Sequence, residues 1–144
     1  MSGPSNAALI GRRGELLAEL FLTDLGAKVT RFPFDGPDYL VLLENKEKGL
    51  QLMAVEVKAI ERPLPEKFAA NARIVEWAAK SNIPLLLLVV DVKQNKLGCA
   101  WLDEVARELP RRAGSQQVSV PLKDAVKERD SILEHVRSTV LVGA

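Results

Sequence analysis

The sequence predicts an α/β fold with an αβββαβ core, a mixed β-sheet flanked by helices. Three observations predict it. An apolar repeat of helical period opens the chain and stops at Gly26. Two strand-like runs follow, Tyr39–Glu44 and Leu50–Ile60, joined by a polar loop ending in Gly49. Pro84–Val92 is then an unbroken run of Leu and Val, as in a strand covered on both faces.

Taken in order, Ser5 can cap a helix running to about Leu25, and the residues before Asn6 form a tail. The main apolar stripe of this helix is Leu9, Ile10, Leu16, Leu17, Leu20 and Phe21. Glu15 lies roughly opposite, beside Ala8, Gly11, Ala18 and Leu22, a face of small residues suited to close packing. Ala27–Phe32 reads as a strand, and Phe34-Asp35-Gly36-Pro37-Asp38 as a turn shaped by Gly and Pro. After Leu50–Ile60, a helix is expected from about Pro65 to Lys80, introduced by Pro63-Leu64-Pro65-Glu66. Beyond Val92, Leu97–Leu102 suggests a short strand, Asp103–Leu109 a short helix and Gln117–Val120 another strand. Leu122 to about Val140 is expected to be a terminal helix burying Leu122, Ala125, Val126, Ile132, Leu133 and Val136. No repeat or linker divides the chain. One domain over residues 1–144 is expected, with a core of about 6–92 and a strand and helix extension over 93–144.

Composition narrows the function. The 144 residues are 47% hydrophobic and 27% charged, ordinary for a globular domain. With 20 basic and 19 acidic residues the net charge is +1, so any contact with nucleic acid has to arise at a local site. Cys99 is the single cysteine and His135 the single histidine, which excludes zinc sites needing several such ligands. Cys99 is expected to be a small core residue, and His135, among charged neighbours, a solvated one. Trp77 and Trp101 are expected in the core. No apolar run approaches the ~20 residues of a membrane helix, and the N-terminus lacks the pattern of a signal peptide. A cytoplasmic location is the default, with no membrane partner.

Strand geometry supplies the chemistry. With the hairpin loop centred on residue 47, residue i pairs with residue 94 − i. Leu40 then faces Ala54, and Asp38 faces Glu56. Directly opposed residues have Cβ atoms about 4.5–5.5 Å apart. Glu56 and Lys58 share one face of their strand, while Val55 and Val57 take the other. Two carboxylates this close repel unless a proton or cation intervenes. Hard divalent ions suit oxygen ligands, and an ammonium beside them can balance charge developing on a phosphate. Glu-x-Lys alone is common and marks only a surface ion pair. A turn Asp in register with it, below a helix bearing Glu15, together with Leu52 and Ala54 on the charged face, points instead to a half-buried site.

With these residues the chain resembles the PD-(D/E)XK nuclease superfamily, whose motif is a helix Glu, an Asp and a Glu-x-Lys. The matching residues are Glu15 in Gly11-Arg12-Arg13-Gly14-Glu15, Asp38 in Pro37-Asp38, and Glu56-Val57-Lys58. The likeness spans about Leu9 to Val92. It is similar in particular to small restriction-endonuclease-like and Holliday-junction-resolvase-like domains. The resemblance implies a restriction-endonuclease-like sandwich and an endonuclease using Mg²⁺, with Mn²⁺ as a substitute. It implies Asp38, Glu56 and the carbonyl of Val57 as metal ligands, Lys58 as the water-positioning or charge-stabilising group, and Glu15 as the residue completing the shell. Glu19 and Asp35 are the alternatives to Glu15 and Asp38. DNA is the expected substrate ahead of RNA, with Arg12, Arg13, Arg62, Lys67 and Arg73 as phosphate contacts and Arg111-Arg112 a lesser candidate. A catalytically inactive module of this fold, binding nucleic acid or a protein, is the alternative. A toxin or defence component working with a partner is a third reading. So small a chain has few elements for selecting a target, so a homodimer or a partner protein is a reasonable expectation.

Overall fold

A computed structural model describes residues 6–45, 49–108 and 117–138. The Ser5 cap, the loop tip Lys46-Glu47-Lys48, Leu109, Arg111-Arg112 and Val140 lie outside them. The elements are α1 (Asn6–Asp24), β1 (Lys28–Arg31), β2 (Tyr39–Asn45), β3 (Gly49–Ile60), β4 (Lys67–Asn71), α2 (Ala72–Lys80), β5 (Leu85–Asp91), β6 (Lys96–Trp101), α3 (Leu102–Glu108), β7 (Gln117–Pro121), β8 (Lys123–Asp124) and α4 (Arg129–Ser138). Six strands form one sheet in the order β1-β2-β3-β5-β6-β8, and β4 pairs with β7 in a second, two-stranded sheet. Within the large sheet β3 and β5 run parallel and the remaining neighbours antiparallel. The expected mixed sheet between helices is therefore present.

Side-chain alternation divides the core between the two faces of the sheet. Val55 and Val57 of β3 and Leu86, Leu88 and Val90 of β5 meet Ala18 and Leu22 of α1 and Ile132 and Val136 of α4. Ala54 of β3 and Leu85, Leu87 and Val89 of β5 meet Ile74, Val75 and Ala78 of α2 and Leu102 of α3. Every residue of β5 is buried, which explains its unalternating sequence. Cys99 is a buried core residue, its thiol pushed up to about 12 by burial and by Glu128. Trp77 and Trp101 pack partly buried against the two cores. Among the described residues no helix is long and apolar enough to cross a membrane.

Four expectations are corrected. The first turns of the helix expected from Pro65 are strand β4, whose Lys67 to Asn71 pair with Pro121 to Gln117. The helix starts only at Ala72, because the Asn71 side chain accepts the Arg73 N–H at 2.8 Å and caps it there. The terminal helix is likewise delayed to Arg129. Asp124 Oδ1 accepts the N–H groups of Val126 (3.0 Å) and Lys127 (3.3 Å), holding a turn in which Val126 is exposed instead of buried. His135 is not solvated. It lies 2.9 Å from Asp103 and 3.3 Å from Glu104, its ring centroid 4.0 Å from that of Trp101. Asp103 in turn accepts the Leu85 N–H at 3.1 Å, so this cluster clasps α4 to α3 and to the start of β5.

The fourth concerns α1. Leu9, Leu16 and Leu20 of its expected buried stripe are exposed, and the small-residue face carries Gly14, Ala18 and Leu22 into the core. Proximity decides it. A Cβ placed on Gly14 would stand 2.6 Å from the Ala59 Cβ, so the helix backbone rests almost directly on β3. Gly14→Ala should gain about 1 kcal/mol of helix propensity and lose about 1–3 kcal/mol to overpacking. Denaturant unfolding is expected to show a net loss in the wild-type background. The loss should shrink or reverse when Ala59→Gly removes the opposing methyl.

Candidate metal centre

The β2–β3 ladder has the register read from the sequence, partner numbers summing to 94 from Tyr39–Val55 to Asn45–Gly49. It ends at Tyr39 because the chain before it turns. Pro37 has no N–H to continue a ladder, and Gly36 takes φ +141°. Asp38 is the last residue held alongside β3, its N–H donating to the Val55 carbonyl at 3.0 Å. Two residues further along β3, the Asp38 carboxylate takes over from the main chain: Oδ2 accepts the Val57 N–H at 2.8 Å. The carboxylate is thereby anchored against the edge that β2 has vacated.

Glu56 sits on the face shared with Ala54, next to Leu87 of β5, and is only 8% exposed. Burial first, and then Asp38, push Glu56 up to about 8, with Lys58 acting in the opposite sense. The Lys58 Nζ lies 3.6 Å from Glu56 Oε2, its side chain about half exposed. The sequence thus brings Asp38, Glu56 and Lys58 together on one side of the sheet. Two hard-oxygen donors side by side, one buried and one half-buried, fit a divalent cation that keeps several waters of its own.

Glu15 stands apart from this pair. Its Oε2 is bound by Arg31 at 2.7 Å and by Arg12 at 3.2 Å. Against the upward push of burial, these two guanidinium groups hold its carboxyl below the ordinary value. Arg31 also lies 5.0 Å over the ring of Tyr39, the buried neighbour of Asp38 that points to the α1 face. Burial, together with Glu15 and Glu19, raises the Tyr39 hydroxyl to about 12. Among the described residues no group of three or more acidic, His or Cys side chains is close enough to hold a metal ion. Arg31 and Tyr39 escaped the sequence reading. Their signal was their opposition across β1 and β2, which needs the register of a second hairpin.

The expected phosphate contacts divide. Arg12 is bound to Glu15, and Arg13 donates to the Val92 carbonyl at 2.9 Å. Arg62 and Lys67 are exposed. Arg73 lines a cleft of about 640 Å³ that Lys58 also lines, walled by Phe68, Asn71 and Glu76 and closed by Gln117 of β7. Asp35 is exposed in the turn, outside the hydrogen bonds that hold Asp38.

No protein-family model and no curated protein matches the chain by sequence. In three dimensions it is similar to D212, a nuclease from a fusselovirus, with a TM-score of 0.62 at 12% identity over 95% of this chain and 97% of that one. The likeness establishes a shared fold over nearly the whole of both chains.

Glu56 also makes stability depend on pH. Its pKa in the fold lies above its value in the unfolded chain, so the native state binds the extra proton. Stability is then full below about pH 4.5 and declines as pH rises through about 8. Thermal melts in chelator should show this descent over that window, set against the other carboxylates at its acid end. Glu56→Gln, neutral at every pH, should flatten it, and an unchanged slope in that variant would contradict the raised Glu56 pKa.

Proposed function

We propose that the chain is a metal-dependent nuclease of the PD-(D/E)XK type that hydrolyses phosphodiester bonds, with DNA the favoured substrate over RNA. One observation carries the reading: buried Glu56 beside half-buried Asp38, with the Lys58 ammonium 3.6 Å from Glu56 at the edge of an open cleft. The fold shared with a viral nuclease supports it. Asp38 and Glu56 would hold Mg²⁺ or Mn²⁺, with the Val57 carbonyl as a third oxygen. A divalent ion held there supplies Lewis acidity toward a phosphate oxygen and toward a water.

The residues of the chain do the rest. The Val57 N–H fixes the Asp38 carboxylate so that it offers its free oxygen in one direction. Glu56, whose pKa burial and Asp38 raise to about 8, would release its proton on becoming a ligand. Lys58, half exposed on the cleft side, positions the attacking water or stabilises the negative charge that grows on the phosphoryl oxygens. Arg73 offers a phosphate contact in the same cleft. Glu15 acts through Arg31, holding the end of β1 beside Tyr39 and so beside Asp38. Few elements lie outside the sandwich, so a second copy or a partner protein would share in choosing the target.

A second reading, an inactive module of this fold that binds nucleic acid or protein, is favoured by one observation. Glu15 is engaged by two arginines, leaving two acids where the motif has three. Activity separates the readings. Labelled duplex, single-stranded and branched DNA and RNA of matching sequence should be cut in Mg²⁺ or Mn²⁺ and left intact in chelator. Lys58→Ala and Glu56→Ala should each lower the rate by at least about 10²–10³-fold with the fold retained. Calorimetry at neutral pH should show ion binding with release of a proton from Glu56. Inactivity on all these substrates, together with no ion binding near millimolar Mg²⁺, would leave the inactive module.

A further inference from the structure

Six large hydrophobic side chains stand exposed among the described residues, and Phe34 differs from the others. It is 78% exposed, more than Leu20 (67%) or Val126 (65%), and it alone is aromatic. It belongs to the turn between β1 and β2, which the Phe32 N–H closes by donating to the Asp38 carbonyl at 3.0 Å. This turn is stiff. Pro33 and Pro37 fix two of its φ angles. Gly36 passes so near α2 that a Cβ there would be 2.9 Å from Trp77 Nε1. Phe32 stands edge-on to Trp77 with centroids 5.5 Å apart, and Phe34 stands edge-on to Phe32 at 6.4 Å. A chain of three rings therefore runs from α2 outward and ends in a ring displayed to solvent. The display is built into the turn.

Its position gives the display a use. Phe34 precedes Asp38 by four residues, at most about 14 Å of extended chain, and the closed turn keeps it nearer. Nucleotides along a strand rise about 3.4 Å each, so a base one to a few positions from a phosphate at the acid pair falls within reach of this ring. Phe32 and Trp77 pack on the α2 side of the sheet, the side on which Glu56 and Lys58 lie. We infer that Phe34 is a base-stacking residue, and that the preferred substrate presents an unpaired nucleotide beside the phosphate that is cut. The assignment of the phosphate to the acid pair rests on the nuclease reading. A ring this exposed has open face to offer, and a base face stacks on it whatever the base, whereas bases inside a continuous duplex are already stacked on each other. The ring thus selects for strand structure more than for sequence.

The test separates stacking from cleavage. Lys58→Ala protein, which binds without cutting, is titrated onto oligonucleotides carrying 2-aminopurine in a single strand, in a bubble and in continuous duplex. Quenching of the probe in the first two but not the third is expected. Adding Phe34→Ala should remove the quench and weaken binding of the unpaired substrates about tenfold. Phe34→Trp should retain both, and Phe34→Leu, apolar but without a flat ring, should not. With Lys58 intact, Phe34→Ala should lower the ratio of kcat/KM for bubble over duplex by about tenfold. Cleavage that favours neither substrate, or a ratio untouched by Phe34→Ala, overturns the inference and leaves the nuclease reading standing. A quench that depends on Phe34 without cleavage of any substrate upholds stacking and overturns the nuclease reading. Absence of both overturns both.

Discussion

Everything distinctive in this molecule follows from where one antiparallel ladder ends. β2 and β3 stay in register until Tyr39 and Val55, and the Asp38 side chain then takes the place of the missing strand by accepting the Val57 N–H. A polar edge buried in a sheet needs a partner, and a carboxylate provides it. Alternation places Glu56 on the face shared with Ala54, beside the Asp38 carboxylate. Glu56 is then buried where ordinary packing would put an aliphatic side chain, next to Leu87 and on the face of Ala54. The unusual protonation of Glu56 is a consequence of strand pairing more than of any special residue.

The opposite face of the sheet meets a different demand. α1 approaches β3 through Gly14 against Ala59, and this close seat delivers Glu15 to Arg31 and Arg31 to Tyr39. Tyr39 and Asp38 are neighbours pointing to opposite sides, so the packing of α1 bears on the site through the sheet. Larger residues at the Gly14 seat would lift the helix and lengthen a salt bridge of 2.7 Å.

Local signals were legible and non-local ones were not. The hairpin loop before Gly49 was enough to set the register that brings Asp38 to Glu56, because a short loop leaves little freedom in pairing. The all-apolar run of β5 announced a strand covered on both sides. The buried face of α1 was misread because leucines at helical spacing suggest a core, whereas the choice of face turned on how closely two backbones can approach. β4 looked helical because Pro63-Leu64-Pro65-Glu66 reads as a helix start. Its identity comes from Gln117–Pro121, far along the chain. His135 looked solvated for the same reason: Asp103, Glu104 and Trp101 reach it only in three dimensions. Asp38, Glu56 and Lys58 were within reach of pattern reasoning, and Arg31, the partner that occupies Glu15, was not.

The pairing of β4 with β7 also bears on how the molecule is made. Gln117 lines a cleft that Lys58 also lines, so two parts of the lining belong to segments synthesised at different times. A nascent chain that has just emerged through β5 can already pair β3 with both its neighbours and bring the two acids together. It still lacks the strand that shapes the groove beside them. Vectorial synthesis thus brings the acids together before their enclosure, and the corner that holds them is finished only when Gln117–Pro121 have been made.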